Sequence, residues 1–183
     1  MTDIGTISLK LVLICAAAAI SLGFVNAITE DTIAMRKEAA VKEALTEVSL
    51  GNEVGEETPV AGNPSVLSYY PILTKGQNTG YIFRLRGKGY GGEFTLLAGL
   101  SSGGEVLSVV MMENQETPGL GKEAEKPDYM KKFIGKGKSS PIPVKKNQLK
   151  PEEVAAVTGA TVTFSGIGKA LAAAQEYAAG LSR

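Results

Sequence analysis

Two short stretches of this 183-residue chain carry residue types suited to holding an anionic, planar ligand. The first is Thr158-Gly159-Ala160-Thr161, at the head of an alanine-rich run. Gly159 permits positive φ, so the chain can turn sharply there. Ala160 keeps the surroundings small, so something bulky can approach the backbone. Thr161 presents a hydroxyl where a helix would begin, and unpaired N–H groups and the helix dipole at that point favour a phosphate. Thr158, Thr163 and Ser165 add hydroxyls nearby. The same residues also read as an ordinary helix N-cap. The second stretch is Glu116-Thr117-Pro118-Gly119-Leu120-Gly121. Gly119 and Gly121 flank Leu120 and allow a planar ligand close to the backbone, with Leu120 as an apolar platform. Glu116 and Thr117 offer hydrogen bonds to a polar ring edge or a polyol chain. The bland alternative is a Pro-Gly turn after a strand.

Composition narrows the chemistry. The chain has no His and no Trp, which removes imidazole metal sites, Ser-His triads and the commonest general base. Its one cysteine, Cys15, lies in an apolar run, so neither an intrachain disulfide nor a Cys-cluster metal site is expected. Redox chemistry on this chain therefore needs a bound cofactor. Lys plus Arg equals Asp plus Glu, 19 against 19, so no net field draws the chain to nucleic acid. The charges are uneven: residues 30–57 hold eight acidic and three basic side chains, and residues 122–150 hold nine basic and three acidic. The basic stretch reads as a solvated face, or as a contact for anionic headgroups or an acidic partner.

The elements that must position these residues are legible from patterning. Residues 11–28 run without a charge, and as a helix they span roughly 27 Å, enough for a hydrocarbon core. Small residues at Asn26-Ala27 would permit signal cleavage, and Ile14 before Cys15 argues against a lipoprotein signal. The reading taken is a retained transmembrane helix. Lys10 and the amino terminus, against Glu30 and Asp31, orient the N-terminus to the cytoplasm and the rest outward. Residues 1–28 are thus expected as a cytoplasmic start and transmembrane helix, 29–65 as a membrane-proximal helix and linker, and 66–183 as the soluble domain. Ile33, Lys37, Val41, Leu45 and Val48 form one stripe of a helix over 31–50, and the acidic, Gly/Pro-bearing 51–65 reads as a loop.

Strand signals follow at 66–73, 80–86, 93–100 and 105–113, the last two pairing as an antiparallel hairpin through Ser101-Ser102-Gly103-Gly104. A short helix is expected near 129–134 and a helical turn at 151–157. A final helix over 166–181 turns Ile167, Ala170, Leu171, Ala174, Tyr177 and Ala178 inward. The fold class is α+β: one N-terminal transmembrane helix, then a small antiparallel sheet with flanking helices.

In this order, behind one apolar segment, the two stretches resemble the FMN-binding domain of the membrane-anchored subunits of Rnf and Na-translocating quinone reductase complexes. The resemblance runs from about Gly89 to Arg183 and is carried by four features. These are Gly89-Tyr90-Gly91-Gly92, the strand hairpin, Glu116 to Gly121, and Thr158 to Thr161. The short chain with a single anchor is closer to the RnfG type. The resemblance implies FMN esterified through its phosphate to Thr161 by a separate flavin transferase. Thr158, Gly159, Ala160, Glu116, Thr117, Gly119, Leu120, Gly121 and Thr163 would line the cofactor.

It further implies an electron-transfer subunit of an ion-translocating ferredoxin/NAD oxidoreductase in the cell (inner) membrane. Its partners would be other membrane subunits, including a second flavin-bearing one, and the lipid bilayer. No side chain would serve as acid, base or nucleophile in turnover. Two positions depart from the family pattern. Ala155 stands where an Asp usually precedes the tetrad, and Asn114 and Gln115 stand where His is frequent. The first leaves non-covalently held FMN as an alternative, beside a structural subunit without flavin.

Overall fold

The computed structural model describes residues 2–181; the amino-terminal charge on which the expected orientation partly rests lies outside them. The element order is a long helix, six strands, then short helices leading into a final long one. Helix α1 spans Thr2–Val48. One compact unit ends at Val41 and the other begins at Lys42.

Within the first unit the apolar residues from Ile4 to Ile28 are exposed on all sides, Leu11 and Phe24 among them. A helix of this length and mean hydropathy, 2.4 over its most apolar window, is long and apolar enough to cross a membrane. Exposure all round is what a helix solvated by lipid requires, because no protein core covers it. The expected stripe is only partly realised: Ile33 is exposed, Val41 and Leu45 are half-buried, and Val48 at the helix end is buried.

The second unit is built on a six-stranded antiparallel sheet in the order β1-β3-β4-β5-β6, with β2 also paired to β3. The strands are β1 Glu53–Val54, β2 Thr58–Pro59, β3 Val66–Thr74, β4 Gln77–Lys88, β5 Glu93–Ser101 and β6 Val106–Glu113. The stretch 51–65 read as loop thus contributes two strands. They pair with the otherwise open edge of β3, Glu53 opposite Leu73 and Thr58 opposite Tyr69. Unpaired edge N–H and C=O groups provide the drive, which two-residue patterns in sequence do not reveal.

Alternation along β4 and β5 sends side chains to two cores. Phe83, Leu85, Phe94, Leu96 and Ala98 face α4 (Thr161–Leu181), meeting Phe164, Ile167, Leu171 and Ala174. Ile82, Leu97, Tyr70 and Ile72 face Ala44 and Val48. Both faces of the sheet are therefore covered, and a fully buried Phe or Leu contributes roughly 1.5–3 kcal/mol to that packing. Phe164 stacks on Phe133 at 4.9 Å and meets Tyr129 edge-on at 6.4 Å. This fastens the short helix α2, Pro127–Met130, beneath the start of α4. The inward residues expected of the last helix are those observed, with Tyr177 half-buried. The helix begins at Thr161, five residues before its expected start at Gly166.

The second core makes a pH prediction. Tyr70 is pushed up to about 12, first by burial and then by the Glu57 carboxylate beside it. A raised folded-state phenol stabilises the fold below the ordinary value of 10.0. That contribution is lost as pH rises from there through about 12. Tyrosine absorbance titration of the folded chain should contain a late component near pH 12 that Tyr70→Phe removes. An unchanged late component in that variant would contradict the assignment.

Candidate functional site

The C-terminal half of the unit brings three segments to one end of the sheet: the loop 89–92, the turn 116–121, and the junction of α3 (Pro151–Val157) with α4. The two helix axes differ by 109° across Thr158, Gly159 and Ala160. Gly159 takes φ 98°, a conformation that costs a side-chain-bearing residue about 1–2 kcal/mol. The tetrad is thus a corner, and its hydroxyls divide by environment.

Thr158 closes α3 and donates to the Val154 carbonyl at 2.9 Å. It is therefore a cap for the preceding helix and not the N-cap of the following one. Thr163 is fully buried and donates to Glu116 Oε1 at 2.8 Å. Ser165 is half-buried, one turn into α4. Thr161 is exposed at the first position of α4 and makes only a long contact, 3.4 Å, to the Val157 carbonyl. Ala160 is buried, and its carbonyl accepts from Phe164 N–H at 2.9 Å and Tyr129 O–H at 3.4 Å. Tyr129 is itself buried; burial first, and the Glu116 charge second, push its phenol well above the ordinary range.

Residues 117–120 form the Pro-Gly turn. Leu120 N–H donates to the Thr117 carbonyl at 3.2 Å, Pro118 and Gly119 hold the central positions, and Gly119 has φ 78°. That is the pattern of a type II turn. Thr117, Gly119 and Leu120 are exposed on it, Leu120 by half. The turn reaches the tetrad: a Cβ placed on Gly159 would lie 3.1 Å from Leu120 Cδ2. Two motifs some forty residues apart therefore touch, and the glycine makes room for the leucine.

Glu116, expected at a ligand edge, is enclosed by the protein. It is 5% exposed, and its carboxylate accepts from Tyr90 N–H at 2.9 Å and Gly91 N–H at 3.2 Å as well as from Thr163. A Cβ on Gly89 or on Gly121 would overlap that carboxylate. Gly121 is buried beside Glu116 and does not face an open surface. Sequence reading placed Glu116, Gly121 and Thr163 around a ligand. They meet one another, because a buried carboxylate must find donors and space wherever the chain supplies them.

Other residues were missed. Tyr90 is 82% exposed beside Glu116's donors, and Val162 is half-exposed next to Thr161. Beside Thr161 opens a groove of about 580 Å³, lined among others by Ser65, Arg86, Lys88, Ser165 and Lys169. Thr161, Ser165 and Lys169 share a helix face at spacings of four, a signal present in the sequence. Among the described residues no hydrogen bond caps the amides of Thr161 and Val162. Exposed hydroxyl, free first-turn amides, a lysine on the same face and apolar Leu120, Val162 and Tyr90 nearby suit an anion joined to a flat ring system.

Residues 89–176 match the family model of the FMN-binding domain. The chain is 28% identical to the G-type subunit of the ion-translocating oxidoreductase complex of Methanosarcina acetivorans, across 96% of this chain and 94% of the relative. It is 28% identical to the G-type subunit of the proton-translocating ferredoxin:NAD(+) oxidoreductase complex of Clostridium ljungdahlii, across 95% and 91%. Against the G-type subunit of the ion-translocating oxidoreductase complex of Stutzerimonas stutzeri the identity is 31%, across 94% and 79%.

Proposed function

Because the chain belongs to the RnfG family of ion-translocating oxidoreductase complexes, we propose that it is the membrane-anchored flavoprotein subunit of such a complex, carrying electrons through an FMN esterified to Thr161. The observation that carries the site assignment is the exposed Thr161 hydroxyl at an uncapped helix start. Thr161 lines the groove and stands two residues after Gly159, against which Leu120 lies. The FMN supplies reversible one- and two-electron chemistry when bound.

The chain's own residues hold and orient it. First-turn amides of α4, with Lys169 two turns on, would face the phosphate. Leu120, with Gly159 beneath it, offers an apolar surface to the ring, and Thr117 lies exposed at its edge. No acid or base need act, so the absence of His from the chain is no obstacle. Attachment removes the dissociation equilibrium, which suits a carrier facing a compartment poor in free flavin. A separate flavin transferase would form the ester. Residues 11–28 would cross the cell membrane once, with the N-terminus cytoplasmic and the FMN domain outside. Other membrane subunits, one bearing a second flavin, would be its electron partners.

The test is flavin fluorescence on a denaturing gel. Wild-type chain from a host containing the transferase should give a fluorescent band at its own mass. A yellow native protein that loses its colour on denaturation would mean non-covalent FMN, the reading that Ala155 in place of the usual Asp favours. Protein colourless in both states would leave only a structural subunit.

A further inference from the structure

Glu116 is a buried carboxylate to which electron carriage assigns no task. Its three donors come from two segments, the amides of Tyr90 and Gly91 in one loop and the Thr163 hydroxyl in the first full turn of α4. It belongs to a third segment, since it immediately precedes the turn whose Leu120 lies against Gly159. Burying a carboxylate costs several kcal/mol unless charge-assisted hydrogen bonds offset it, so these three bonds hold their donors firmly. The surroundings are cleared for this one side chain. Gly89 and Gly121 leave no space for a Cβ because Glu116 fills it, and Gly91 lies directly against the Gln115 carbonyl. Thr163 stands two residues after Thr161 on the same turn of helix.

We propose that Glu116 is a positioning residue. Its carboxylate ties the 89–92 loop and the start of α4 to the 117–121 turn, and thereby sets where Thr161 presents its hydroxyl and where Leu120 lies, without touching the cofactor itself. The proposal rests on Thr161 being the flavin-bearing residue, but the tie can be measured whether or not flavin is present.

The experiment uses the full chain in detergent, as Glu116→Ala, Glu116→Gln, Thr163→Val and the Glu116→Ala/Thr163→Val double variant. Hydrogen exchange reads the tie directly. Glu116→Ala should speed exchange at the Tyr90, Gly91 and Phe164 amides, with the β5 amides unchanged. In the transferase-containing host, its flavin-bearing fraction should fall at least on the order of tenfold, since removing the carboxylate breaks all its bonds to Tyr90, Gly91 and Thr163. Thr163→Val breaks only the bond to α4 and should reproduce part of that fall, and the double variant should be no worse than Glu116→Ala alone, because without the carboxylate Thr163 has no such bond left to lose. Glu116→Gln keeps an acceptor oxygen but turns an NH2 group toward an N–H donor, so it should fall between wild type and Glu116→Ala.

Full flavin in Thr163→Val with none in Glu116→Ala would make Glu116 a direct cofactor ligand and overturn the proposal. So would unchanged exchange at Tyr90, Gly91 and Phe164 in Glu116→Ala. A wild-type chain without covalent flavin would instead defeat the attachment reading, and the exchange result would still decide the tie.

Discussion

Thr161→Ala protein should carry no flavin through denaturation, while Thr158→Ala and Ser165→Ala proteins keep theirs. The reason lies in what each hydroxyl is already doing. Thr158 is turned back to the Val154 carbonyl at 2.9 Å. Thr163 is enclosed and committed to Glu116. Ser165 is half-buried, a turn below the helix start. Thr161 alone among the four combines exposure, a weak existing contact and the first position of a 21-residue helix, where amides and dipole both favour a phosphate. The effect is all or none, since a phosphoester cannot form on a methyl group. Fluorescence surviving in Thr161→Ala, or disappearing in Thr158→Ala with the fold intact, would sink the assignment.

Gly121→Ala should destabilise the domain much more than Gly119→Ala, although the two glycines sit two residues apart. At Gly119 a Cβ would meet nothing within 4 Å, and the cost comes only from φ 78°, roughly 1 kcal/mol. At Gly121 a Cβ would lie 2.5 Å from Glu116 Cδ and overlap its carboxylate oxygen. The carboxylate cannot swing away cheaply because three donors hold it in a buried site. Displacing it leaves buried donors unpaired at about 1–3 kcal/mol, with overpacking strain of similar size, so a loss on the order of 3 kcal/mol follows. Urea unfolding of the complete chain in detergent measures both variants. Equal losses at 119 and 121 would show that Glu116 is not wedged between its donors and the glycine.

Much of this was legible in the chain itself. Eighteen uncharged residues at 11–28 declare a membrane-spanning length by simple geometry. The strand signals at 80–86 and 93–100 mark elements that form, and helical spacing from Ile167 to Ala178 assigns the inward face of the last helix, because those periods follow directly from backbone geometry. The Pro-Gly turn, and Gly159 at a sharp bend, follow from φ preferences of single residues. The absence of His and the isolation of Cys15 excluded whole chemistries without any fold.

What the tertiary structure decided is which polar groups meet. Nothing local distinguishes Glu116, buried and bonded to residues 90, 91 and 163, from Thr117 beside it, exposed and available. Gly121 reads as room for a ligand, and only packing reveals that Gly89 and Gly121 are room for a carboxylate. The strands at 53–54 and 58–59 exist because β3 offers them an unpaired edge. Periodicity and backbone preference are properties of neighbouring residues and can be read along the chain. The partners of a buried charge are chosen across dozens of residues by the need to satisfy every desolvated polar atom, and that choice is made only when the fold closes.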